Sequence, residues 1–372
     1  MGSTKGSGAV ANVLAWSQRA ASTFFGLATL LVALSVLATL PVLQLLCLGY
    51  LLVAGARVAA SGRLRGCLPG LPLFERVGAI VVGLWLLLWI PRLLASLARD
   101  ARLIDPGGRA GPTLDTIAAL LVLLLVLHAI AATARGGRLS LLLLPRPILE
   151  ARALRALLTR EGYRTARDAV WDALASLEPW ALVKTGALGF LAAALWLLVP
   201  TTLLALGSRA PVLAVLGAGL MAVVVFYLPL LQLHVAEQGR LAALMDVETV
   251  ARAHARAPLA SAVAVVITVV FAFPLYLLKI ELIPREAMWL PGVAFMALML
   301  PARLVCGLAL HRGLARSTPR HFALRAVAWL IVVPVAGAYA VVLYFTQYLS
   351  WYGTWSLYEQ HAFLLPVPFL GL

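Results

Sequence analysis

None of the fifteen carboxylates in this 372-residue chain falls inside its long apolar runs. Ion-coupled carriers and intramembrane hydrolases keep ionisable groups near the bilayer midplane, so chemistry of that kind has no acid to rest on here. Cysteine is almost missing. Cys47, Cys67 and Cys306 are scattered, with no CxxC spacing and no neighbouring histidine, which excludes a disulfide framework and indicates no zinc site. There is no HExxH, P-loop or GxSxG pattern. The nearest acidic groupings, Asp168 with Asp172 and Asp246 with Glu248, lie in arginine-rich amphipathic segments, where they read as solvated faces rather than metal ligands. The expectation is a protein that is no enzyme and carries no cofactor and no metal. Charge is also scarce, at 12% of residues against about 25% in soluble domains, and this excludes a water-soluble fold.

What remains is apolar: 63% of residues are hydrophobic. Candidate spans run over 22–40, 77–98, 116–134, 181–206, 210–234, 259–278, 287–310 and 322–345, each long enough to cross a bilayer. The fold class is all-α, a polytopic transmembrane helix bundle of about eight spans, seven to nine by the treatment of the first run, with amphipathic interfacial helices on the cytoplasmic side. Residues 1–21 read as a polar tail, 22–346 as the transmembrane domain and 347–372 as an aromatic interfacial tail. The first run is too long. Nothing is charged between Arg19 and Arg57, and a continuous helix of that length would reach about 55 Å, against a hydrocarbon core of about 30 Å. Pro41 is the expected break, after which 42–56 either lies along the interface or re-enters.

The net charge of +15 resides mostly in arginine, 27 of them against Lys5, Lys184 and Lys279. In an apolar chain this excess marks loops retained in the cytoplasm rather than a nucleic-acid surface. With eight spans, the odd-numbered loops contain 19 basic residues and the other side 9, which places the odd loops inside a bacterial cytoplasmic membrane and the C-terminus outside, with the N-terminus outside too unless 20–56 makes two passes. The loop between the second and third spans runs against the trend, with Arg92, Arg99, Arg102 and Arg109.

Two cytoplasmic segments, about 145–179 and 237–257, are amphipathic. In the first, Leu154, Leu157 and Leu158, then Val170, Trp171, Leu174 and Leu177, stripe one helix face, accompanied by Arg152, Arg155, Arg160, Arg164 and Arg167. Two readings fit: a helix on an anionic leaflet, or a hairpin packed on the bundle.

Inside the spans the polar inventory is short. Lys184, His234 and Arg325 lie close enough to span ends to snorkel. Arg303, two residues after Pro301, is too deep for that and needs a carbonyl, a polar partner or a lined cavity. His128 stands alone among leucines and valines, where a neutral ring bonded to a neighbouring backbone competes with a proton-relay role. Gln44 and Gln232, each three residues past a proline, fit hydrogen bonds between helices. The flanks of those prolines repeat, Leu40-Pro41-Val42-Leu43-Gln44-Leu45 against Leu228-Pro229-Leu230-Leu231-Gln232-Leu233, and Gly-Arg-Leu follows both at 62–64 and 239–241, with a third copy at 137–139. Internal duplication and chance in a leucine-rich chain both account for it. From the end of the last span onward, Tyr344, Phe345, Tyr348, Trp351, Tyr352, Trp355, Tyr358, Phe363 and Phe369 form an aromatic belt, read as an anchor, a docking surface or a plug.

The stretch Pro41 to Leu51, the turn Gly62-Arg63-Leu64-Arg65 and the second Pro229-Leu230-Leu231-Gln232 unit together resemble an uncharacterised family of multi-pass prokaryotic membrane proteins, over roughly residues 20–310. That resemblance implies a helical membrane domain and brings no catalytic or binding residues. The function expected is a non-catalytic membrane scaffold, lipid-organising protein or accessory subunit, with anionic lipids, a protein partner or a second copy as partners. The alternative is a transporter or flippase for a lipid or small solute, with Arg303 and His128 along its path.

Overall fold

Uninterrupted apolar sequence makes helices wherever it occurs, because a backbone in hydrocarbon must satisfy its own hydrogen bonds. A computed structural model describes residues 5–40, 42–277, 289–349 and 353–359, and among these there is no strand. The helices are α1 (Lys5–Ala38), α2 (Leu43–Ser61), α3 (Leu71–Leu87), α4 (Trp89–Ile104), α5 (Ala110–Ala134), α6 (Leu139–Leu143), α7 (Pro147–Leu157), α8 (Arg160–Ala175), α9 (Pro179–Leu206), α10 (Pro211–Gln238), α11 (Val247–Arg256), α12 (Pro258–Leu277), α13 (Trp289–Leu314), α14 (Phe322–Leu349) and the short α15 (Ser356–Glu359). Eight helices among the described residues are long and apolar enough to cross a membrane, and α11 with α12, bent by 111° at their junction, would add a ninth if the pair is one span. The protein is a multi-pass, all-α membrane protein.

Local signals set the ends. Pro147, Pro179, Pro211 and Pro258 each stand at the first helical position, where a missing amide hydrogen costs nothing. Thr159 and Asp246 cap α8 and α11 by accepting hydrogen bonds from the amides of Gly162 and Thr249. The Gly-Arg-Leu triplets also prove to be local devices. Gly62, Gly137 and Gly239 adopt φ of 68°, 64° and 65° just past the ends of α2, α5 and α10, a left-handed turn that glycine enters without a Cβ penalty. The longer repeat does not extend into structure: Pro229 lies inside an uninterrupted α10, whereas Pro41 lies outside the described residues, between the end of α1 and the start of α2.

The chain divides into two units, Met1–Leu30 with Gly70–Leu177, and Leu31–Pro69 with Glu178–Leu372. In the first, α3 and α4 form a 34-residue run jointed at Leu88, longer than the expected span. Here α5 packs along α4, with an ion pair between Arg102 and Asp115.

In the second unit α2 is the core, packed by α9, α10 and α13, with Leu48, Leu51, Leu52 and Val58 fully buried. Of the alternatives left open for 42–56, this sets aside a helix lying along the interface and favours one that enters the bundle. The reason is close packing by small residues rather than hydrophobic patterning. A Cβ built on Gly49 would fall 1.8 Å from the Leu182 carbonyl oxygen, and one on Gly186 1.8 Å from the Leu45 oxygen, so α2 and α9 cross with backbone against backbone. The glycine Cα–H groups point at those carbonyls, the geometry of a Cα–H···O contact.

Past α14, Ser356 and Leu357 are buried and the Tyr358 hydroxyl lies 3.0 Å from the Thr202 hydroxyl of α9. The described part of the aromatic tail therefore docks on its own unit, with Trp355 facing outward. Trp351, Tyr352 and residues 360–372 lie outside the described residues.

Candidate functional site

The basic surface expected from the sequence forms on α7 and α8, neither of which buries a single residue. Successive residues turn by 100° on a helix, which places Tyr163, Val170 and Leu174 of α8 in one sector, Arg160, Arg164, Arg167 and Trp171 in the next, and Glu161, Asp168 and Asp172 beyond them. The four apolar side chains Tyr163, Val170, Trp171 and Leu174 are 47% to 64% exposed. Among the described residues this apolar strip, edged by arginines, is left largely uncovered. The packing of a hairpin is present as well, since α7 lies against both α8 and the transmembrane α5. Arg152 and Arg155 of α7 are likewise not buried. Arg167 is tied sideways to Asp168, with 2.6 Å between the charged atoms.

The second amphipathic segment behaves differently. Val250, Ala253 and His254 of α11 are buried in the second unit, so that helix is part of the bundle rather than a surface feature.

His128 is not alone. Its Nε2 is 2.7 Å from the Leu142 carbonyl oxygen and its Nδ1 is 3.0 Å from a Glu150 carboxylate oxygen. Both neighbours are acceptors, so the ring satisfies both only with two N–H groups, as an imidazolium beside a carboxylate, or with the proton on Glu150. Burial pushes the Glu150 carboxyl upward, but the hydrogen bonds from His128 and from the Arg146 amide outweigh it and hold it below its ordinary value. The pair fastens α7, and with it the basic helices, to the transmembrane α5.

A second histidine–carboxylate pair joins α10 to α11. His234 Nε2 is 3.0 Å from one oxygen of Asp246, whose other oxygen caps α11 at the Thr249 amide. The Thr249 hydrogen bond is the main cause of a lowered Asp246 pKa. His234 was expected to snorkel and is instead buried. The physical reason is its partner: a ring with a carboxylate at hand has no need to reach for headgroups. Sequence reasoning missed both carboxylates because they lie 22 and 12 residues from their histidines and outside the spans.

Gln232 meets its expectation: its side-chain amide donates to the Gly189 carbonyl at 2.9 Å, joining α10 to α9. Gln44 does not. It is half-buried at the start of α2 and its side chain makes no hydrogen bond among the described residues. Arg303 is the largest fully buried side chain of the described residues, at 2% exposure, on α13 where that helix meets α2. It shares the second unit with Gln232, while His128 belongs to the first. Among the described residues no three histidine, cysteine, aspartate or glutamate side chains converge on a point that would hold a metal.

The second unit contains a half-open cleft of about 150 Å³ that sequence reasoning did not find. Phe226 and Tyr227 of α10, His254 of α11, Pro258 of α12, and Arg325 and Trp329 of α14 line it. His254, Phe226 and Trp329 form a continuous ring stack, with centroids 4.1 and 4.6 Å apart. No single segment carries enough of this cleft to signal it.

The chain matches no family model, no curated protein and no solved structure.

Proposed function

We propose that this is a non-catalytic protein of a bacterial cytoplasmic membrane that uses α7 and α8 to engage and organise anionic lipid at the inner leaflet. The observation that carries the reading is α8 itself: an exposed apolar strip with Trp171 at its margin, flanked by Arg160, Arg164 and Arg167, with its acids on the far side. Each arginine near an anionic surface contributes about 1 kcal/mol, and with Arg167 tied to Asp168 the remaining two, Arg160 and Arg164, favour the docked position by roughly thirtyfold. The His128–Glu150 pair supports the same reading, since it ties the surface helices to a membrane-spanning one.

Charge supports the sidedness. Counting α2 as a pass moves Lys5 and Arg19 to the face that already carries 19 basic residues, and puts the three Gly-Arg-Leu turns on that face too. The N-terminus is then cytoplasmic and the C-terminus external. A carrier using Arg303 and His128 finds less support, because neither lines the cleft.

The test is hydrogen exchange of the full-length protein in nanodiscs of phosphatidylglycerol or phosphatidylcholine. Residues 160–175 should be protected only in the anionic discs. That protection should vanish when Arg160, Arg164 and Arg167 are all changed to glutamine, or when salt is raised to about 0.5 M. Equal exchange in the two lipids would refute the proposal.

A further inference from the structure

The cleft of the second unit has the features of a built site, independent of the α8 surface. It lies at the membrane boundary, because Pro258 is the first residue of α12 and Arg325 sits in the first turn of α14. Its lining includes no acid. The Arg325 guanidinium is exposed and makes no ion pair or side-chain hydrogen bond among the described residues. It is a free bidentate fork beside a helix N-terminus, and both favour an anion. Against the same cleft stands His254, 6% exposed and stacked between Phe226 and the edge of Tyr227. The Phe226 backbone approaches its ring, but neither ring nitrogen completes a hydrogen bond of ordinary geometry. A buried imidazole in that state costs free energy that a ligand oxygen would recover.

Size and surroundings narrow the ligand. A cavity of about 150 Å³ holds a group on the scale of a benzene ring, enough for a phosphate with part of its ester but not for a whole amphiphile. The remainder has a track outside. Trp329 both lines the cleft and is half exposed, and Val333 and Gly337 continue its face of α14 at four-residue spacing. Val333 faces outward, and a Cβ built on Gly337 would meet nothing within 4 Å, so the helix surface below the cleft is open and apolar.

We infer that the cleft binds the headgroup of one anionic phospholipid, with its phosphate on the Arg325 guanidinium and an ester or glycerol oxygen on a His254 N–H. The acyl chains run along α14 past Trp329, Val333 and Gly337. This rests on the membrane placement of the protein but not on α8 lying on the leaflet.

Native mass spectrometry of the delipidated full-length protein in detergent tests it, using phosphatidylglycerol, phosphatidylcholine with the same chains, and inorganic phosphate as competitor. The expected result is one phosphatidylglycerol adduct, with phosphatidylcholine about tenfold weaker. Arg325→Ala should weaken phosphatidylglycerol by about tenfold or more, and Arg325→Lys by less, because lysine keeps the charge but loses the planar fork. Melting behaviour of the two variants should match the wild type, since Arg325 is exposed. Equal retention of the two lipids, or an unchanged adduct in Arg325→Ala, overturns the assignment. Displacement by millimolar phosphate would make this a free-phosphate site and overturn the lipid source. The triple glutamine variant of α8 should keep the adduct, and its loss there would place the bound lipid under α8 instead.

Discussion

Gly186→Ala adds one methyl group at the point where α9 crosses α2, and the crossing has no room for it. The new Cβ would lie 1.8 Å from the Leu45 oxygen and 2.9 Å from the Gly49 nitrogen, both backbone atoms that no rotamer change can move. Ordinary contact begins at 3.4 Å, so the two helices must part by roughly 1.6 Å at their crossing. A gap of about 1 Å already forfeits up to half of the dispersion attraction between facing atoms. Overpacking in a rigid core costs about 1–3 kcal/mol, and backbone against backbone belongs at the upper end. Gly219→Ala in α10 is the matched control, because its Cβ would meet nothing within 4 Å. Removing a mid-helix glycine there favours the helix by about 1 kcal/mol. One substitution type should therefore shift stability in opposite directions at two sites. Thermal challenge followed by fluorescence-detected size exclusion in one detergent should give a midpoint lower by about 3–4 °C for Gly186→Ala and equal or higher for Gly219→Ala. A Gly186→Ala midpoint within about 1 °C of wild type would refute glycine packing as what holds α2 in the core.

Glu150→Gln should loosen α7 from α5, costing about 2 kcal/mol and raising hydrogen exchange of residues 147–157 roughly thirtyfold at neutral pH. Because the Glu150 carboxyl is held below its ordinary value, its contribution is complete above the ordinary carboxylate range and disappears only as pH falls through the lowered one. On the acid side of the histidine range, from about pH 6 to pH 5, wild-type exchange corrected for its intrinsic pH dependence should therefore be flat. A rise within that window would count against the pair. Cys47, Cys67 and Cys306 are all buried and unpaired, and burial also pushes the Cys67 thiol upward, so maleimide should label none of them in the folded protein while labelling all three after denaturation. Rapid labelling of Cys67 in the folded state would contradict its placement.

Membrane class, the approximate count of spans and the α8 face were all legible from residue order, because each depends on one segment at a time. Whether a run partitions into lipid is a sum over its own side chains. Whether a helix is amphipathic shows in its own periodicity, and the glycines of the three Gly-Arg-Leu triplets stand within a few residues of helix ends. The identity of α2 as the core was not legible. Nor were the pairing of His128 with Glu150, the crossing of Gly49 with Gly186, or the cleft that draws on α10, α11, α12 and α14. In water a buried face betrays itself as an apolar stripe, whereas in hydrocarbon the lipid-facing and protein-facing sides of a helix are equally apolar. Runs such as α9 and α10 are therefore hydrophobic all round, and nothing along them marks the side that will meet a neighbour. Which helices touch depends on small residues and scattered polar groups meeting across long stretches of chain, and that happens only when the helices come together.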